Sequence, residues 1–244
     1  MRRSSKPRQD SNRSVSPMFQ HLYDNPLLVT ALPCVVALIV LIAAQWRRGF
    51  ARGFGTVFAI GIAADAWLNG PWTPVRAGTA LATAVGVFFV IFGDFRYFVL
   101  LEHALVEPHA GAQRGIGRTE DGKLALVRAA GWAFLVPVTS QLVRWASPRV
   151  AHDERSTFLL YELLFFGVAV GIWFFRLPRG TPAARLARRA TLFEILQYAI
   201  WAGADVGLIK TGHDAFYALR IVANLLYYVA FVPTMLRWIP REKA

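Results

Sequence analysis

Eight ionisable residues, Asp65, Asp94, Arg96, Arg128, Glu162, Glu194, Asp205 and Arg220, interrupt segments that are otherwise apolar. In hydrocarbon an unpaired charge costs at least about 2.5 to 3.5 kcal/mol, so such residues must pair with one another or face a water-filled cavity. Three kinds of chemistry are open to them: proton carriage by carboxyls, ion pairing that only fixes helices, and recognition of a polar small molecule.

Spacing selects among them. Around a helix at 100° per residue, Trp201 and Asp205 fall within about 20° of Glu194, and Gln197 lies about 60° away. Further along, Asn224 and Tyr228 fall within about 20° of Tyr217, with Arg220 bordering that stripe. Asp205 and Arg220 flank Gly212 at seven and eight residues. If Gly212 marks a tight turn between antiparallel helices, the two share a depth and a bidentate ion pair is within reach. The candidate substrate or proton pathway is therefore Asp65, Glu162, Glu194, Gln197, Asp205, Arg220 and Asn224. Asp94, Arg96 and Arg128 fall near expected helix ends, where snorkelling to the interface accounts for them.

Other constellations carry less. Glu102, His103, Glu107 and His109 hold metal-ligating groups, but a helical histidine pair with a glutamate between is missing, so no metal is assigned. A retinal attachment needs a lysine deep in the bundle, and Lys6, Lys123, Lys210 and Lys243 do not supply one. Neither a nucleophile elbow nor a phosphate-binding glycine loop occurs, so no catalytic residue and no cofactor is assigned.

The elements that must position these residues are membrane spans. Of the 244 residues 55% are hydrophobic and 17% charged, with a mean hydropathy of +0.40, too apolar for a soluble domain. The expected fold is all-α: a polytopic bundle of seven spans over residues 26–238, at about 26–46, 53–69, 78–101, 123–145, 157–175, 191–209 and 215–238. Residues 1–25, rich in Arg, Ser and Pro, read as a disordered basic tail, and 239–244 as a short C-terminal one. The longest internal loop is expected over 103–122, and an arginine-rich linker, Arg176 to Arg189, before the sixth span. Gly167, Gly171, Gly203 and Gly207 form small-xxx-small pairs that read as close helix approach. The eight tryptophans, seven tyrosines and eighteen phenylalanines read mainly as lipid-facing and interfacial anchors.

The net charge of +12 comes from arginines clustered beside apolar runs, which assigns it to membrane orientation and anionic lipid rather than to nucleic acid. Loops on one side carry fourteen Lys and Arg against seven on the other, which favours N-out and C-in. The single Cys34 permits no internal disulfide. Arginine far outnumbers lysine, a bias that accompanies GC-rich coding, and the expected location is a bacterial cytoplasmic membrane. Ala64-Asp65 with Leu68 and Gly70 echoes Ala204-Asp205 with Leu208 and Gly212. The echo pairs spans 1–3 with 5–7, an arrangement similar in architecture to the parallel repeats of SWEET-type sugar transporters, although the proline-glutamine pair of the wider group is absent.

Function is expected to be small-molecule or proton-coupled transport. The alternatives are a sensor or assembly partner without turnover, and a membrane-embedded enzyme using carboxyls as acid or base. Membrane lipid is the expected partner, with an oligomer or a larger complex left open.

Overall fold

The computed structural model describes residues 18–110, 120–147, 153–177 and 182–240. Among them every element is helical and no strand occurs. The elements are α1 (Met18–Tyr23), α2 (Leu27–Gln45), α3 (Gly49–Leu68), α4 (Ala80–Ala110), α5 (Glu120–Ala146), α6 (Glu154–Phe175), α7 (Pro182–Thr211) and α8 (Ala215–Trp238).

Six of them, in α2 and in α4 to α8, are long and apolar enough to cross a membrane, which makes the chain a membrane protein. The second expected span, α3, forms as a 20-residue helix but falls outside this set. Its Arg52, Asp65 and glycines dilute the hydropathy that its alanines, isoleucines and phenylalanines supply. Length is not the obstacle, since 20 residues rise about 30 Å.

Three expectations of the linear reading change. First, α4 continues to Ala110, so the loop expected from His103 begins later. Polar residues at its end are held in the helix by partners. Arg176 Nη2 lies 2.6 Å from Glu102, and the His103 ring stacks on Phe50 with centroids 3.5 Å apart. Second, Arg185, Arg188 and Arg189 belong to α7, which starts at Pro182. Proline suits the first turn of a helix because it needs no N–H there, and Leu186, Ala187 and Ala190 supply a buried face at helical spacing. Third, part of the expected tail is helical. The backbone N–H groups of Phe19 and Gln20 in α1 donate to the Asp214 carboxylate at 2.8 and 2.9 Å. Residues 1–17 and 241–244, and the stretches with Arg114, Arg118 and Arg179, lie outside the described residues.

Helices α4 and α7 form the centre. Half of the apolar window of α4 and 44% of that of α7 are buried, against 22–28% for the other four spans. Aromatic contacts tie each of these two central helices to a neighbour: Phe165 of α6 stacks on Tyr198 of α7 with centroids 4.1 Å apart, and Phe98 of α4 stacks on Trp132 of α5 at 6.0 Å. Phe54, Phe58, Phe98, Phe165, Tyr97 and Phe231 are all fully buried. Many of the rings read as lipid-facing anchors are thus core, while Trp46 and Trp145 at helix ends are 85% and 83% exposed. The glycine pairs also change meaning. At Gly167, Gly171 and Gly203 an added Cβ would meet nothing within 4 Å, so no helix packs closely there, whereas at Gly207 it would collide with the Phe216 ring.

Two helices contain a π-helical turn, α2 at its start and α8 midway along its length. In α2 the turn spans Leu27–Ala31, where Leu32 N–H bonds back to Leu27. The widening precedes Pro33, whose ring would crowd the carbonyl four residues earlier and cannot donate to it. In α8 the turn spans Leu225–Ala230. Between α7 and α8 Gly212 adopts a positive φ of 63°, and its N–H bonds to Leu208 at 2.9 Å. This left-handed cap reverses the chain in three residues and sets Asp205 against Arg220.

Candidate functional site

The polar groups gather in three places along α7. At the end that carries α1, Arg220 Nη1 lies 2.6 Å from Asp205 Oδ1, and Arg155 Nη1 lies 3.4 Å from the same oxygen. Asp205 is fully buried, Arg220 is 15% exposed and Arg155 33%. The Glu162 carboxyl, about two turns into α6, sits beside that of Asp205 and within electrostatic reach of both guanidiniums. Two acids and two arginines therefore form a quartet whose formal charges cancel, which is what burial demands. Its valences are not all used: Asp205 Oδ2, Glu162 Oε2 and Arg220 Nε are buried without a hydrogen-bond partner. Tyr23 of α1 covers it, with the Arg220 guanidinium 5.5 Å from its ring and its own ring 5.5 Å from that of Tyr217.

The second gathering lies at mid-helix. Asp94 of α4, only 3% exposed, accepts a hydrogen bond from Tyr198 Oη at 2.7 Å and a second, short one from Tyr161 Oη. Arg96, two residues on, donates from Nη1 to the Tyr227 carbonyl at 2.7 Å. Its guanidinium lies 3.9 Å from the Tyr227 ring centroid and 4.5 Å from that of Phe231. The donation lands inside the π turn of α8, where a widened ladder leaves a carbonyl short of its usual donor. Arg96 thus pins the wide turn and is held by ring faces as well as charge. Asp65, Asp94 and Glu194 all feel its charge. Asp65 accepts from Asn69 Nδ2 at 2.7 Å and bonds the Tyr228 hydroxyl. Gly93 makes this packing feasible, since any Cβ there would strike the Tyr227 hydroxyl.

The third gathering lies at the arginine-rich end. Tyr97 Oη and Thr191 Oγ1 are 2.9 Å apart, and Glu102 faces Arg176 as described above. Between gatherings, Trp201 Nε1 donates to Asn224 Oδ1 at 3.0 Å. Gln197 is fully buried with neither amide atom partnered.

The residues singled out from the sequence are thus distributed as follows. Asp205, Arg220 and Glu162 come together; Glu194 and Asp65 join Arg96 instead; Asn224 meets Trp201; Gln197 stands in the seam between. The two aspartates of the internal echo both reach α8, Asp65 at Tyr228 and Asp205 at Arg220, with different partner chemistry. Asp94 and Arg96 do not snorkel: they lie in the core, because α4 extends well past them. Arg128 is exposed. Sequence reasoning also missed Arg155, Tyr161, Tyr198 and Tyr227, whose partners lie on other helices and leave no local signal. Glu102 and His103 are engaged by Arg176 and Phe50, while the side chains of Glu107 and His109 lie outside the described residues. Among the described residues no group of three or more His, Cys, Asp or Glu could hold a metal.

Two cavities lined by described residues lie against α8, one between it and α2 and the other between it, α3 and α4. One of about 30 Å³ opens among Tyr23, Asn224 and Tyr228, next to both π turns. The other, of about 10 Å³, lies among Asp65, Gly93, Arg96 and Tyr227. Each is on the scale of one or two waters. No protein-family model, curated protein or solved structure matches this chain.

Proposed function

We propose that the chain is a proton-linked membrane protein whose working residues line the α4–α7 seam. The observation that carries this reading is a row of polar groups along α7, hydroxyls and carboxyls interrupted once by the Trp201 indole, which only donates. Thr191, Glu194, Tyr198, Trp201 and Asp205 recur at intervals of three and four, one face of a helix over a rise of about 21 Å. That covers most of a hydrocarbon core of about 30 Å. Tyrosine hydroxyls both donate and accept, so Tyr161 and Tyr198 on Asp94 suit a proton relay, with single waters filling the gaps. Around Arg96 three carboxyls face one guanidinium, and the proton is the countercharge small enough for such a site. A proton needs no larger chamber than the seam provides.

The test is flux in reconstituted vesicles. With a pH-sensitive dye inside, the protein should dissipate an imposed pH gradient, and Asp94→Asn or Glu194→Gln should slow this at least about tenfold. A rate equal to that of protein-free vesicles, or variants as fast as the parent, would defeat the reading. The aromatic filling of the core favours a second one, a non-catalytic subunit or sensor, for which the flux would be nil in every variant.

The same reading takes α3 as a seventh span and the orientation as N-out, C-in, supported by the uneven arginine distribution. A reporter fused after Ala244 should then behave as cytoplasmic and a tag at Met1 as external. Both on one side of the membrane would mean an even number of crossings.

A further inference from the structure

The end of the bundle opposite α1 carries guanidiniums that no described residue neutralises. Arg185, Arg188 and Arg189 occupy neighbouring positions of α7 at i, i+3 and i+4, where like charges repel. Arg185 and Arg189 are exposed, Arg188 is half-exposed, and Arg237 at the end of α8 is exposed beside them. Among the described residues no carboxylate pairs with any of these four. The one acid described at this end, Glu102, is occupied by Arg176.

Two of these arginines are held on tryptophans. Arg188 lies 4.3 Å from the ring centroid of Trp173 of α6, and Arg189 lies 5.3 Å from that of Trp238 of α8. The stacks fix the guanidiniums by their faces and leave their N–H edges free to donate, the geometry that suits phosphate. Directly after Trp173, Phe174 and Phe175 are 72% and 92% exposed. The surface therefore has two parts, a cationic shelf with tryptophan supports and a bare apolar wall beginning at the same level.

We infer that this shelf binds the headgroup of an anionic phospholipid, with Arg188 and Arg189 donating to the phosphate and the acyl chains lying on Phe174 and Phe175. A free phosphate would use only the cationic half, and a nucleic acid, whose bases can stack on aromatic rings, would have to reach two phenylalanines that end a membrane-crossing helix. Lipid uses both, at the depth where tryptophan and arginine flank a span.

Retention through purification is the readout. Protein exchanged into vesicles of phosphatidylcholine doped with phosphatidylglycerol, then extracted and weighed by native mass spectrometry, should carry bound phosphatidylglycerol in preference to phosphatidylcholine. R188Q/R189Q should lower that retention by about tenfold to thirtyfold. The R188K/R189K variant should keep part of it, and R76Q, at an exposed arginine on the opposite end, should keep all of it. Inorganic phosphate alone should neither compete nor raise thermal stability. Equal retention of the two lipids, unchanged retention in R188Q/R189Q, or full competition by phosphate would each overturn the inference. If R188Q/R189Q does not fold, a photoreactive phosphatidylglycerol headgroup applied to the unaltered protein should label residues 173–177, 184–189 and 237–239, and labelling confined to the opposite end of the bundle would overturn it equally.

Discussion

Asp205→Asn destabilises the detergent-extracted protein by about 3 kcal/mol, while Arg220→Gln costs noticeably less, about 2 kcal/mol. The asymmetry follows from Arg155. Asp205 answers two guanidiniums from full burial, so its loss leaves both facing Glu162 alone. Losing Arg220 still leaves Arg155 at 3.4 Å, a weaker neighbour because it is a third exposed and screened by solvent. The double variant recovers part of the sum, since neither charge is then left without its opposite. A thermal double-mutant cycle measures this. Equal single costs would say that Arg155 plays no part, and strictly additive ones would dissolve the pair itself.

Arg96→Leu has the larger expected effect, about 3 to 5 kcal/mol. The substitution removes the guanidinium that Asp65, Asp94 and Glu194 share and withdraws the donor from the Tyr227 carbonyl. A buried acceptor left open costs about 1 to 3 kcal/mol by itself. Lysine in its place keeps the charge but not the flat fork that reaches the carbonyl between two rings, so Arg96→Lys rescues only in part. Amide exchange over Leu225–Ala230 should accelerate in both variants, more in the leucine one. Arg128→Leu, at an exposed arginine of α5, is the matched control and should be near neutral. An Arg96→Leu protein as stable as its parent would mean that the π turn needs no pin.

The pairing of Asp205 with Arg220 is legible from the chain because Gly212 makes the connection short. With three residues between helices, counting in both directions sets depth, and 100° per residue sets direction. No such arithmetic reaches Asp94 and Arg96. Their depth depends on where α4 ends, and that is decided by Arg176 and Phe50 engaging Glu102 and His103 from other helices. Read locally, those polar residues look like the start of a loop. Arg185 to Arg189 mislead in the same way, since charge suggests a linker while the Pro182 start and the spacing of Leu186, Ala187 and Ala190 carry the helical signal. The π turn of α2 has a local herald in Pro33; that of α8 has none, because its cause is an arginine more than a hundred residues away. Tyrosines are the least legible of all. Whether a ring anchors a helix in lipid or delivers its hydroxyl to Asp94 depends on a neighbour that no window of sequence contains.

The partners of so many groups lie on α8 or on the residue at either side of it that the order of synthesis matters. Asp214 receives the N–H groups of α1, Arg220 answers Asp205, Tyr227 receives Arg96, Tyr228 meets Asp65, and Arg47 donates to the Ile239 carbonyl at 2.6 Å. All of these wait until the final helix has left the ribosome, because chains emerge and begin to fold from the N-terminus. Until then Asp65 of α3, Arg96 of α4 and Asp205 of α7 lack these neighbours. A chain cut after Thr211 is therefore expected to be an incomplete bundle rather than a smaller working one, because the buried groups of α3, α4 and α7 would meet no substitute for these partners.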